Sequence, residues 1–313
     1  MAVDSELQPI LDLVNSVEQP PPAEDQVDEL REQYAALSMA FGAGADLVEV
    51  EGLGTSGPQL PLGLRVYRPT TEEPAARGAL VFFHGGGWVI GDLDTHDATC
   101  RDLCAASGAT IISVDYRRAP ECRFPTASDE GFRALQWIVD HAVELEIDPQ
   151  RVAVGGDSAG GHMATVIARR ARDEHGPTLV GQILIYPVTD LASDDDRYPS
   201  RGQNGEGHLL TMDTMRFFRD SYVPDATQRP LADASPILVE DLSGLPPALV
   251  ITAEYDPLRD EGEADAQRLQ DAGVETERTR YDGAVHMFFQ LSSTAIAQRA
   301  VTQAAEALRN FLN

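Results

Sequence analysis

The strongest chemical signal is Gly156-Asp157-Ser158-Ala159-Gly160, which follows the apolar run Arg151–Val154 and precedes a helical stretch from Ala159. A G-x-S-x-G segment between strand and helix puts its serine on a sharp turn with an exposed hydroxyl. Small neighbours let a substrate carbonyl approach, and the helix that follows aims its first amides at developing negative charge. An ordinary Gly/Ser turn is the bland alternative; the strand–turn–helix setting favours a nucleophile. A second signal, His84-Gly85-Gly86-Gly87, follows the strand Leu80–Phe83. Three successive glycines are costly to order, so a close backbone approach to a ligand explains them better than a slack loop. A phosphate cradle of the P-loop type is excluded, because no Gly-Lys-Ser/Thr follows and the chain has no lysine. The amides of Gly85, Gly86 and Ala159 are therefore candidate donors to an oxyanion. His84 reads as the residue holding this loop.

A nucleophilic serine needs a base, and the chain has 7 histidines. His96, His141, His162, His175 and His208 lack a strand-end context. His286 follows the last expected strand through Tyr281-Asp282-Gly283-Ala284-Val285, where a short loop would swing its ring over the sheet edge. Asp256 likewise follows the strand Leu249–Thr252, with Glu254 and Asp260 as competing acids. Asp157 stands too close to the serine to orient a distant imidazole. The order Ser158, Asp256, His286 is one found among serine triads, with each residue after a different strand.

Those strand ends require a sheet. Expected strands lie at Val48–Glu51, Leu62–Tyr67, Ala79–Phe83, Thr110–Val114, Arg151–Val154, Gln182–Tyr186, Leu249–Thr252 and Thr276–Arg280. The first two read as an antiparallel hairpin that begins after Leu47 and has a Gly-rich connection. Continuous apolar strands alternating with helices imply an α/β fold, a mostly parallel eight-stranded sheet covered by helices on both faces. Helices are expected at Ala98–Ser107, Ala127–Val143, Ala159–Ala171, Arg259–Ala272 and Thr294–Phe311. Residues 1–45 form a helical segment broken at Pro20-Pro21-Pro22, with the stripe Val27, Leu30, Tyr34, Leu37 and Phe41 on one helix face. Residues 191–230 interrupt the alternation with an acidic run, a Gly-rich patch and a helix near Met212–Tyr222. Segments 1–45 and 191–230 read as one cap, over a core of 46–190 and 231–313.

Composition narrows the class. The 313 residues are 42% hydrophobic, enough for one large domain, and 51 acidic against 24 basic side chains give a net charge of −27. That field repels phosphate backbones and anionic lipid, so no nucleic-acid or membrane partner is expected. All the basic side chains are arginine. A salt-rich habitat and a G+C-rich genome both account for this, and a salt titration of activity and melting temperature separates them. No run approaches a membrane span, and Met1–Gln8 lacks a signal core, so a cytoplasmic location is expected. Cys100, Cys104 and Cys122 form no ligand or disulfide pattern. No metal or organic cofactor is implied.

Together these motifs resemble the hormone-sensitive-lipase-like esterases, bacterial family IV of the α/β-hydrolases. The resemblance rests on His84-Gly85-Gly86-Gly87-Trp88 with Gly91, Asp115-Tyr116-Arg117-Arg118-Ala119-Pro120-Glu121, Gly156–Gly161, Asp256-Pro257-Leu258-Arg259-Asp260 and His286-Met287-Phe288. It implies an α/β-hydrolase fold with a helical cap and a carboxylesterase with Ser158 as nucleophile, acting on a small-molecule ester of short to medium acyl chain. Arg118 and Cys122 depart from the family pattern without removing a catalytic group. The Asp157 form of the elbow resembles a subgroup that dimerises through the last strand, which makes a homodimer an expectation. Trp88, Leu209, Leu210, Met212, Phe217 and Phe218 are candidates to shape the pocket, the core of the cap being their other role. An amidase or peptidase using the same triad is the nearer alternative. A non-catalytic small-ligand receptor is the farther one, and the retained His286 argues against it.

Overall fold

The computed structural model describes residues 2–16, 21–46, 48–55, 62–70 and 77–313. Pro20, Leu47 and the 56–61 connection of the expected hairpin lie outside the described residues. Eight strands form one sheet: β1 (Val48–Gly54), β2 (Gly63–Pro69), β3 (Arg77–Phe83), β4 (Thr110–Asp115), β5 (Ile147–Asp157), β6 (Gln182–Ile185), β7 (Ala248–Tyr255) and β8 (Thr276–Val285). Their spatial order is β1-β2-β4-β3-β5-β6-β7-β8. Only β2 runs against its neighbours, pairing antiparallel with β1 and β4, while β4 through β8 pair in parallel.

The apolar strands are buried on both faces, and their side chains alternate between two cores as the pleat requires. Val81, Phe83, Val152 and Val154 join Leu135 of α4 (Thr126–Asp140) and Met163 and Ile167 of α5 (Ala159–Asp173). Leu80, Phe82, Ile183 and Ile185 join Leu103 of α3 (Asp97–Ser107) and Ile296 and Leu308 of α9 (Ala295–Leu312). Cys100 and Cys104 are free thiols inside this second core. Parallel strands between two helical layers place all their carboxyl ends on one edge, where α/β sheets hold their ligands.

Most strands outrun the sequence reading, β5 and β8 by the most. β5 starts at Ile147, and β8 continues through Tyr281–Val285, which the sequence suggested was a loop. The Gly283 amide donates to the Glu254 carboxylate at 2.8 Å, and Tyr255 pairs with Val285 after an irregularity in the ladder. His286 thus follows a strand directly.

Four further helices lie outside the two core layers or along their edge. They are α1 (Gln8–Asn15), α2 (Val27–Ser38), α6 (Pro199–Asn204) and α7 (Met212–Tyr222); α8 (Arg259–Asp271) belongs to the sheet's cover. The stripe is used as its spacing suggests over α2, with Val27 and Tyr34 buried and Leu30 and Leu37 half-buried; the helix ends at Ser38, so Phe41, also buried, lies beyond it. Among the described residues no helix is long and apolar enough to cross a membrane.

Candidate active site

Ser158 sits between the end of β5 and the start of α5 with φ 55°, a left-handed conformation that costs a non-glycine residue energy. The turn is held from both sides. The Ser158 amide donates to the Ile185 carbonyl at 2.8 Å, and its own carbonyl accepts from the His162 and Val188 amides. Close packing explains the flanking glycine: a Cβ on Gly160 would run into the Phe83 carbonyl oxygen.

The three residues singled out as a triad come together. His286 Nε2 lies 3.1 Å from Ser158 Oγ, and His286 Nδ1 lies 2.7 Å from Asp256 Oδ2. Asp256 is fully buried, and its second oxygen accepts the Leu258 amide at 2.8 Å. The competing acids are engaged elsewhere. Glu254 receives the Gly283 amide, while Asp260 binds the Ser200 amide and the Arg259 guanidinium. A buried carboxylate on Nδ1 fixes the tautomer that leaves Nε2 free to take the serine proton.

The glycine loop corrects one expectation. The Gly85 amide does not face a ligand: it donates to Asp157 Oδ1 at 2.9 Å, closer than the 3.2 Å to His96 Nε2. Gly86 and Gly87 do line the cavity beside Ser158. Among the described residues the Gly86, Gly87 and Ala159 amides have no hydrogen-bond partner, the last because it opens a helix. Glycine at 87 has its own reason, since a Cβ there would enter the Phe218 ring.

His84 is buried under Tyr116, stacked at 4.2 Å, with Nδ1 2.8 Å from the Gly85 carbonyl. Burial, then the neighbouring His96, pushes its imidazole down to about 3, so it stays neutral. Burial would raise the Asp157 carboxyl, but His96, the Gln290 amide and the Gly85 amide together hold it below its ordinary range.

Ser158 and His286 open into a cavity of about 1190 Å³, walled by the ends of the strands, by α1 and α2, and by residues 188–219. Of the residues expected to shape it, Trp88, Leu209, Leu210, Met212 and Phe218 line it. Phe217 does not: it turns from the cavity, packing against the core fringe and Phe218. Sequence reasoning missed Tyr34, Val188, Leu191, Leu258 and Met287. In sequence Tyr34 is one member of an apolar helix stripe, and Leu258 lies inside the motif around Asp256.

A serine–histidine–aspartate chain at the strand ends of such a sheet is the arrangement of an α/β hydrolase. A profile of the alpha/beta hydrolase fold matches residues 80–290. Ethyl acetate hydrolase from Pseudomonas putida is 38% identical, covering 92% of this chain and 91% of that protein. Carboxylesterase NlhH from Mycobacterium tuberculosis is 42% identical over 76% of this chain and 75% of its own. Among solved structures, a thermostable esterase from Pseudomonas putida superimposes with a TM-score of 0.94 at 36% identity, covering 100% and 98% of the two chains. The esterase of Pyrobaculum calidifontis gives 0.90 at 38% identity and 99% coverage of each chain. The chain belongs to the alpha/beta hydrolase fold family, in its hormone-sensitive-lipase-like branch, and is a carboxylesterase.

Proposed function

We propose that Ser158, His286 and Asp256 hydrolyse small-molecule esters of short to medium acyl chain through a covalent acyl-enzyme. His286 takes the hydroxyl proton as Ser158 Oγ attacks the ester carbonyl, and Asp256 holds the imidazole and its transient cation. The oxyanion rests on the Gly86, Gly87 and Ala159 amides. One such donor is typically worth ~10²–10³ in rate. Collapse expels the alcohol, which takes the proton from His286. Water, deprotonated by His286, then attacks the acyl carbon, and collapse breaks the bond to Ser158 Oγ, which takes the proton back from His286 as the acid leaves.

The observation carrying this reading is the unbroken hydrogen-bond chain from Asp256 through His286 to Ser158 at the floor of the cavity. Residues 1–45 and 191–230 serve as the cap in this reading, because α1, α2, α6 and α7 wall the same cavity. The ethyl acetate hydrolase relative supports the short end of the acyl range. A homodimer along β8, an edge of the sheet, fits the same reading. Hydrolysis of p-nitrophenyl esters from acetate to palmitate, wild type beside Ser158→Ala, tests the proposal. Short chains should turn over fastest, and the variant should lose about 10⁶ in kcat along with organophosphate labelling. Residual turnover within about tenfold of wild type would reject Ser158, since loss of a serine nucleophile costs far more.

A further inference from the structure

Tyr34 lies far from the triad in sequence, on a helix outside the two core layers, yet it is hydrogen-bonded into the elbow. Its hydroxyl is 2.9 Å from Gln290 Oε1, and Gln290 Nε2 is 2.9 Å from Asp157 Oδ2. The other Asp157 oxygen holds the Gly85 amide, with His96 Nε2 3.2 Å away. Each direction is fixed by chemistry. A carboxylate only accepts, so the Gln290 amide nitrogen must face Asp157, which leaves its oxygen for the phenol. Burial, then the Asp157 charge, keeps that phenol protonated and able to donate. Tyr34, Gln290 and Asp157 are all buried.

This relay has a definite end. Gly85 precedes the two cavity-lining glycines whose amides are proposed to hold the oxyanion, and its own amide is the one the Asp157 carboxylate grips. The carboxylate cannot turn without moving that amide, and Gln290 prevents the turn. Gln290 closes the short turn Phe288–Gln290 that follows His286, so the segment that carries the base also supplies the amide that holds Asp157.

Resting on the serine-ester reading above, we propose that Tyr34 is a positioning residue for the oxyanion site, acting through Gln290 and Asp157 on the Gly85–Gly87 loop. Tyr34 also lines the cavity, so the residue that meets the substrate's side of α2 is the one that holds this relay. The effect belongs in the transition state, where charge develops on the oxygen, and not in ground-state binding.

The test compares wild type, Tyr34→Phe, Gln290→Leu and the double variant, with active sites counted by organophosphate titration. Tyr34→Phe should lower kcat per titrated site about fivefold, the ordinary net worth of one hydrogen bond, with KM nearly unchanged. Affinity for an aryl trifluoromethyl ketone, whose adduct with Ser158 carries the oxyanion, should fall by the same factor. Gln290→Leu should cost more, and adding Tyr34→Phe to it should cost nothing further. Three results overturn the inference while leaving the esterase intact: wild-type kcat per site in Tyr34→Phe, a rise in KM alone, or a full Tyr34 effect in the Gln290→Leu background. Wild-type protein that neither hydrolyses esters nor takes the label overturns the underlying reading and this inference together.

Discussion

Asn204 Nδ2 donates to the Asp256 carbonyl oxygen at 3.2 Å, and it lies equally close to the Glu254 carbonyl oxygen. A residue at the end of α6 thereby ties the segment over the cavity to the loop that carries the proposed catalytic acid. Ser200, in the same helix, strengthens the tie through the Pro257 carbonyl and the Asp260 carboxylate.

The acid can be told from its neighbours by replacement. Asp256→Asn keeps the shape but offers Nδ1 of His286 an amide, which favours the wrong tautomer. A loss of about 10⁴ in kcat is expected, as for the same change in another serine triad. Glu254→Gln still accepts the Gly283 amide and should leave kcat close to wild type. Equal losses in both variants, measured with the folded proteins on one short-chain ester, would remove Asp256 from its assigned role.

The segment containing α6 is also held by charge. Arg201 Nη2 lies 2.6 Å from Glu261 Oε2, with both side chains almost wholly buried, and the guanidinium also donates to the Asp190 carbonyl at 3.0 Å. Breaking one side of such a pair leaves an uncompensated buried charge, at a cost of about 3–5 kcal/mol. Arg201→Met should therefore lower the urea midpoint sharply. Arg201→Met with Glu261→Gln, whose Oε1 can still accept the Thr189 amide, should recover part of that loss, falling short by the carbonyl bonds that arginine alone makes. A double variant as unstable as Arg201→Met would mean the carbonyl bonds, and not the ion pair, hold this segment.

Much of this site is legible in sequence because its residues cluster at strand ends. Ser158 and the glycines stand in local motifs, Asp256 follows the apolar strand β7, and His286 follows the polar strand β8, so chain order alone supplied three strand-end positions for one edge of the sheet. What sequence does not carry is which polar group meets which. Gly85, Gly86 and Gly87 are equivalent as letters, and only the position of the Asp157 carboxylate separates the amide it consumes from the two left without a partner among the described residues. Phe217 and Phe218 are equally apolar neighbours, and one helical step sends only the second into the cavity. Tyr34 fitted a buried stripe, which hid the use of its hydroxyl. The extra length of β8 was invisible because Gly283 looks like a turn until Glu254 caps its amide.

One buried acid outside the proposed triad carries a pH prediction. Asp265 on α8 is 1% exposed, and its Oδ2 has no hydrogen-bond partner among the described residues. Burial pushes its carboxyl up to about 7; Arg268 pulls the other way, and the nearby Glu261 adds to burial. An unfolded aspartate ionises near ~4, so between about 4 and about 7 the native state holds a proton that the unfolded chain has lost. Stability from this group is complete below the lower value and disappears as pH rises through the upper one. A gap of roughly three pH units is worth at most about 4 kcal/mol. Asparagine cannot titrate, so the stability of Asp265→Asn relative to wild type should climb between about pH 4 and about pH 7 and level off above that. Denaturant melts of the two proteins at matched ionic strength measure that difference directly, with every other titrating group cancelled. Parallel curves across the range would mean that Asp265 ionises in the folded protein as it does in the unfolded one.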